Sequence, residues 1–187
     1  MHRPLFYTLC VLFAVTAASA EDTAQPPQKG EKAGDFELRS PDGKTVRLSD
    51  HLRAGPVVVV MLRGYPGYQC PLCTRQVGSL IKAAPEFAEH NAHVLLVYPG
   101  PADGLDERAR EFLKDVTLPK SIKLVTDPDY GLTSAWGLRW DAPRETAYPS
   151  TFVMGTDGVV AFAKVSRTHG GRARTRDVVS AVADTAN

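Results

Sequence analysis

Cys70 and Cys73 stand two residues apart in Gln69-Cys70-Pro71-Leu72-Cys73-Thr74. Two thiols at that separation can form a disulfide, attack one, or share a metal ion, and their surroundings decide among these. Val57 to Leu62, introduced by Pro56, is an unbroken, largely β-branched run of the kind a strand buried on both faces requires. From Pro71 to His90 the apolar residues Val77, Leu80, Ile81, Ala84 and Phe87 recur at three- and four-residue spacing, which predicts a helix over 71–90, kinked at Pro85. The pair therefore lies where strand gives way to helix. Proline is favoured at the first helical position because its missing N–H needs no partner there, so Cys70 falls at the N-cap and Cys73 on the first turn. Unpaired N–H groups and the helix dipole stabilise a thiolate at that end, with Cys70 nearer the surface. The predicted chemistry is reversible dithiol–disulfide exchange, in which one thiolate attacks, a mixed disulfide forms and the neighbouring cysteine resolves it.

Other uses of the pair fit less well. A zinc site drawing on His90 and His93 would expect about 12 residues between the pairs and at least three between the histidines. The sequence has sixteen and two, so no metal is expected. A structural disulfide here would close so short a loop that it removes little unfolded-state entropy. That reading makes the chain a non-catalytic secreted binding domain, and it is told apart by reducibility, because structural bridges resist glutathione. Thr74 stands where a haem-attachment motif has histidine, and no nucleotide motif occurs, so no cofactor is expected.

The pair must be held by a core. Phe36 and Leu38, then Val46 and Leu48, flank the turn Ser40-Pro41-Asp42-Gly43 and predict an N-terminal β-hairpin. Further strands are predicted at 94–98 and 123–126, and helices at 105–116 and 130–136. A second hairpin is expected from 151–154 and 159–165 around Gly155-Thr156-Asp157-Gly158, before a final helix over 174–183. Strands alternating with helices and ending in a hairpin predict an α/β sandwich, a mixed central sheet flanked by helices. Trp136 and Trp140 are read as core or loop packing, and His51 and His169 as surface or hairpin-end residues.

Residues 1–20 combine a cationic start, an apolar run from Leu5 to Ala18 and Ala18-Ser19-Ala20, the pattern of a signal peptide cleaved after Ala20. A secreted or periplasmic location is expected, with Cys10 removed and only Cys70 and Cys73 retained. The run is shorter than the ~20 residues a spanning helix needs, so no stable membrane span is expected after cleavage. Residues 21–32 are polar and Pro-containing and read as a flexible linker, with one domain over 33–187. The chain of 187 residues carries 22 Lys plus Arg against 21 Asp plus Glu, which leaves no basic excess for nucleic acid.

A strand, a loop, Cys-x-x-Cys at a helix start and, much later, Tyr148-Pro149-Ser150-Thr151-Phe152 leading into a strand that turns back through Asp157-Gly158 together resemble the thioredoxin fold. In that superfamily the late proline is cis and lies against the cysteines, and Pro149 matches its position. Gly34-Asp35-Phe36 and the N-terminal hairpin resemble the peroxiredoxin branch, the alkyl hydroperoxide reductase/thiol-specific antioxidant family. Tyr65-Pro66-Gly67-Tyr68-Gln69-Cys70-Pro71-Leu72-Cys73 is similar to its Pro-x-x-x-Thr/Ser-x-x-Cys motif, with Cys70 in place of the Thr/Ser and Cys73 at the peroxidatic position. The resemblance implies Cys70 and Cys73 as catalytic residues, supported by Tyr65, Pro66, Pro149 and Thr151. The family's peroxide-polarising arginine is replaced by Pro149, and Arg63 and Arg139 are the candidates to substitute. Two readings follow. As an antioxidant thiol-disulfide oxidoreductase with a redox-active disulfide, Cys70 attacks a protein or small-molecule disulfide and Cys73 resolves. As a peroxidase, Cys73 attacks hydrogen or alkyl peroxide and condenses with Cys70. Either requires a thiol electron donor or acceptor.

Overall fold

The computed structural model describes residues 24–185, so the expected signal peptide over 1–20 and the first residues of the expected linker lie outside the described residues. In chain order the elements are β1 (Glu37–Arg39), β2 (Thr45–Arg47), α1 (Leu48–Leu52), β3 (Val57–Met61), β4 (Gly64–Tyr65), β5 (Tyr68–Gln69), α2 (Pro71–Lys82) and α3 (Ala84–Glu89). They continue with β6 (His93–Gly100), α4 (Leu105–Phe112), β7 (Ile122–Pro128), α5 (Gly131–Ala135), β8 (Ser150–Met154), β9 (Val160–Val165) and α6 (Thr175–Thr185).

The valine-rich run forms β3, whose five residues are all 0% exposed. It lies near the middle of a seven-stranded sheet of order β2-β1-β7-β6-β3-β8-β9. β3 pairs parallel with β6 and antiparallel with β8, and β6 pairs parallel with β7. β1 pairs antiparallel with both β2 and β7, which makes the sheet mixed. Because side chains alternate along a strand, β3 feeds two cores. Val58 and Val60 pack with Val77, Leu80, Phe87, Ala109 and Val182 beneath α2, α3, α4 and α6, the layer that also holds both cysteines. Val57, Val59 and Met61 pack on the opposite face with Leu48, Leu132, Trp136 and Phe152.

The expected helix over 71–90 is two helices. Pro85 sits in the first turn of α3, where it has no N–H to offer the Ile81 carbonyl, and the chain breaks at Ala83 instead of kinking through. α1 and the two-residue strands β4 and β5 are additions to the predicted elements. α1 is held at its start by Asp35, whose Oδ1 accepts the N–H groups of Phe36 and Ser49, each at 2.9 Å. Asp35 of the Gly-Asp-Phe opening thus acts as a cap supplied from outside the helix.

The described part of the expected flexible linker, residues 24–32, is instead a fixed strap. Gly30 N–H donates to the Val160 carbonyl at 2.8 Å, Val160 N–H returns to Glu31 at 2.9 Å, and Ala33 N–H reaches Gly158 at 3.0 Å. Pro26 and Pro27 are buried. Gly137, at φ +59, leaves room for the strap, since a Cβ there would lie 2.2 Å from the Ala24 carbonyl oxygen. Composition hid this because a strap is ordered by what it lies on, without an apolar period of its own. A chain beginning at Ala33 is expected to melt about 5 °C below one beginning at Glu21, the shift for losing a few hydrogen bonds at ~1 kcal/mol each. Equal melting temperatures in differential scanning calorimetry would show that the strap contributes nothing.

Candidate active site

The site is assembled at the C-terminal end of β3, beside the parallel partner β6. Beyond β3 the chain folds into the β4–β5 hairpin, with Gly67 at φ +81 in its turn. Gly64 is required there because a Cβ would lie 2.4 Å from the Tyr98 hydroxyl oxygen. That hydroxyl donates to Gln69 Oε1 at 2.9 Å, and Gln69 Nε2 donates to the Arg108 carbonyl at 3.1 Å. Gln69 is thereby pinned to β6 and α4, and the next residue, Cys70, is the N-cap of α2 with Pro71 at its start, as the proline position predicts. Cys73 lies on the first turn, and its Sγ accepts the Arg63 N–H at 3.2 Å.

Both cysteines are free thiols and both are enclosed, Cys70 at 1% exposure and Cys73 at 0%. Cys70, expected nearer the surface, is thus almost as fully enclosed as Cys73. The helix tip points into the protein, under the segment that joins β9 to α6. That segment carries Arg172, whose Nη2 lies 3.3 Å from Cys73 Sγ and 3.6 Å from Cys70 Sγ. Its Nη1 donates to Gln76 Oε1 at 2.8 Å, and Gln76 Nε2 donates to Thr151 Oγ1 at 3.2 Å. Thr151 thus supports the site at one remove, by holding the glutamine that holds the arginine.

The other expected residues are placed differently. Pro149 is buried, but among the described residues no peptide bond is cis, and its carbonyl is taken by the Ser166 N–H at 3.0 Å. The expected cis proline is a trans one. Tyr148 before it is tied to Leu138 by a backbone bond of 2.8 Å and runs extended into β8, the course a trans X–Pro bond favours. Tyr65 stacks on Tyr68 at 4.8 Å and Pro66 is exposed at the hairpin turn, so among the described residues neither is shown in contact with the sulfurs. Of the two arginines considered as substitutes, Arg139 is spent on the carbonyls of Trp140 and Thr146 and lies over the Tyr130 ring at 3.9 Å. The Arg63 guanidinium is paired with Glu145 and lies 5.1 Å from the Trp140 ring centre, while its backbone serves Cys73. Glu145 also meets His169 Nε2 at 2.7 Å, so the β9–α6 segment is fastened twice, by His169 to Glu145 and by Arg172 to the sulfurs. His93 faces His51 at 4.8 Å between ring centres, at the other end of β3.

Arg172 carries no motif that sequence reading could seize. Its only local signal is Gly170-Gly171 before it, Gly171 at φ +68, a turn that lets an arginine point back into the fold.

The electrostatics divide the two sulfurs. The Cys73 thiol hydrogen-bonds Cys70, and with backbone N–H groups of the first helical turn and the Arg172 guanidinium it outweighs burial, holding the Cys70 pKa down at about 5. Cys73 is pushed well above the ordinary thiol range by the same hydrogen bond and by its burial. The pair is therefore poised as one thiolate, on Cys70, and one thiol, on Cys73.

A central mixed sheet, a cysteine pair at the start of a helix beyond a buried strand, and an enclosed thiolate beside an arginine define a thioredoxin-fold protein of the peroxiredoxin type. Comparison with known proteins agrees. A family profile described as AhpC/TSA family matches residues 29–163. The chain belongs to this family. It is 30% identical over 135 residues to the chloroplastic peroxiredoxin Q of Oryza sativa subsp. japonica, an overlap of 72% of this chain and 57% of the rice protein. It is also 30% identical over 134 residues to peroxiredoxin Bcp of Bacillus subtilis (strain 168), covering 69% of this chain and 79% of the relative. The chain thus spans little more than half the length of the plant relatives it matches. Among solved structures, peroxidoxin BcpB from Mycobacterium tuberculosis superposes with a TM-score of 0.66 at 22% identity, over 84% of this chain and 97% of its own. The mitochondrial 2-cys peroxiredoxin from Plasmodium falciparum gives 0.63 at 15% identity, over 84% and 93%. Arg172 lies beyond the residues that the family profile matches.

Alkylation of the reduced protein by iodoacetamide should follow the Cys70 thiolate. Lowering the pH through about 5 protonates it, so the rate should fall with a midpoint near that value and be flat around neutrality. Arg172→Gln should move the midpoint up, whereas a single midpoint near that of a free thiol in the unaltered protein would refute the assignment.

Proposed function

We propose that the protein is a thiol-dependent peroxidase in which the Cys70 thiolate attacks the hydroperoxide and Cys73 resolves. The observation that carries this reading is the Arg172 guanidinium within hydrogen-bonding reach of both sulfurs, a cation where attack on a peroxide develops negative charge on the departing oxygen. Family membership supports the peroxide as oxidant. The thiolate sulfur attacks the nearer oxygen, the O–O bond breaks, and the leaving oxygen takes a proton and departs as water or an alcohol, leaving Cys70 as sulfenic acid. Cys73 then attacks that sulfur, water leaves, and the Cys70–Cys73 disulfide remains until two electrons from an external thiol restore the dithiol. This gives Cys70 the attacking role, the reverse of what the family motif implies, because Cys70 rather than Cys73 carries the charge.

A second reading, thiol–disulfide exchange, rests on the same low pKa of Cys70, since such a thiolate opens a substrate disulfide as readily. The trans Pro149 with an occupied carbonyl gives it no support of its own. We place the protein outside the cytoplasm, in a periplasm or beyond the cell, on the strength of the leader-like residues 1–20.

Stopped-flow reaction of the reduced protein with hydrogen peroxide should consume two thiols. Cys73→Ser should halt at a Cys70 sulfenic acid that dimedone traps, and Arg172→Gln should slow oxidation by about a hundredfold. A Cys70→Ser protein that reacts at full rate and traps on Cys73 would exchange the two roles. Inertness to peroxide with rapid reduction of a small disulfide would establish the exchange reading.

A further inference from the structure

A groove of about 210 Å³ opens between the first half of α2 and the start of α6, separated from the enclosed sulfurs by Arg172, which lines it and contacts both of them. Leu72, Arg75, Gln76, Ser79, Arg172 and Arg174 line it, and no Asp or Glu does. Its cations are unequally compensated. Arg174 is paired with Asp177 through bonds of 2.8 and 3.1 Å. Arg75 is exposed and has no carboxylate partner among the described residues. Arg172 contacts Gln76 and the two sulfurs, and its Nε is buried without a hydrogen-bond partner.

Among the described residues, the one negative charge hydrogen-bonded to Arg172 in the reduced protein is the Cys70 thiolate. Oxidation to the disulfide abolishes that charge, so the oxidised site holds a part-buried guanidinium with no counter-ion and a second free cation at the groove mouth. A buried charge without a partner is costly, and an anion that enters the groove offsets the cost. The species that must arrive next is itself an anion at its sulfur, because a thiol reduces a disulfide as the thiolate.

We propose that this groove receives the reductant, a small thiol that also carries a carboxylate, drawn to Arg75 and Arg172 when the cysteine pair is oxidised. The proposal rests on the dithiol–disulfide cycle above and names its electron donor by chemical class. The groove volume suits a molecule of cysteine size rather than an element of a partner protein. The reductant thiolate attacks Cys70 Sγ, the Cys70–Cys73 bond breaks, and Cys73 leaves as a thiolate that takes up a proton. A second thiolate attacks the reductant sulfur of the mixed disulfide and releases the Cys70 thiolate. One disulfide and two small thiols thus become one dithiol and one small disulfide.

The experiment compares mercaptopropionate, mercaptoethanol and cysteamine, which are anionic, neutral and cationic, as reductants of the oxidised full chain. Rates are expressed per thiolate and divided by each reagent's rate with a free small disulfide. The protein disulfide is formed with diamide, which demands no peroxidase activity, so a protein inert to peroxide leaves this test intact. At low salt mercaptopropionate should lead cysteamine by roughly tenfold or more. The ratio should collapse in Arg75→Gln, and also in ~1 M salt, where screening reaches about 3 Å. Three equal normalised rates, or a preference unchanged in Arg75→Gln, would overturn the proposal. So would a carboxylate preference confined to the oxidation step with an acid-bearing hydroperoxide, because the anion would then belong to the oxidant.

Discussion

A sulfur anion enclosed by protein must be given what water would have given it. Cys70 is 1% exposed, and the cost of stripping a charged group of solvent would return the proton unless donors converge on it. The Cys73 thiol, the N–H groups at the start of α2 and the Arg172 guanidinium supply them. Much of the surrounding structure serves that convergence. The β4–β5 hairpin and the Tyr98–Gln69 bond fix where α2 begins, so the helix amides face the sulfur. Thr151 and Gln76 set the arginine, and the Glu145 link to His169 holds down the segment that carries it.

What could be read from the sequence was whatever is decided locally. Pro71 marks a helix start by its missing N–H, so the N-cap position of Cys70 followed from one residue, and the valine run of β3 could only be a strand with cover on both faces. Position in space was not legible in the same way. Arg172 meets Cys73 across 99 residues of chain, a contact with no period or spacing to announce it. Residues 24–32 resemble a linker in composition for a related reason, since their order comes from the edge of β9 and the space above Gly137. The expected cis Pro149 shows the limit of resemblance, because a matching position does not carry the bond geometry of the family it resembles.

Moving a cation from one chain position to another need not move it in the site. The family resemblance implies an arginine just before β8, where Pro149 stands. β8 and β9 pair antiparallel with Ser150 opposite Val165, so the start of β8 and the end of β9 are neighbours, and the Ser166 N–H bonds the Pro149 carbonyl. The segment after β9 that carries Arg172 therefore starts beside the position before β8, and its guanidinium reaches the sulfurs. In the proposed peroxidase, Arg172 would take the part of the cation that the resemblance places before β8.

The closure over the cysteines also bears on how such a sulfur survives its own chemistry. A sulfenic acid that meets a second peroxide passes to sulfinic acid, a step that a resolving thiol cannot reverse. In the peroxidase reading proposed above, Cys70 and Cys73 lie together under one doubly fastened segment, so an oxidised Cys70 would already face its resolving partner, while a second oxidant would meet an enclosed sulfur. On that reading the same cover that would slow the first encounter would also favour disulfide formation over irreversible loss of the thiol.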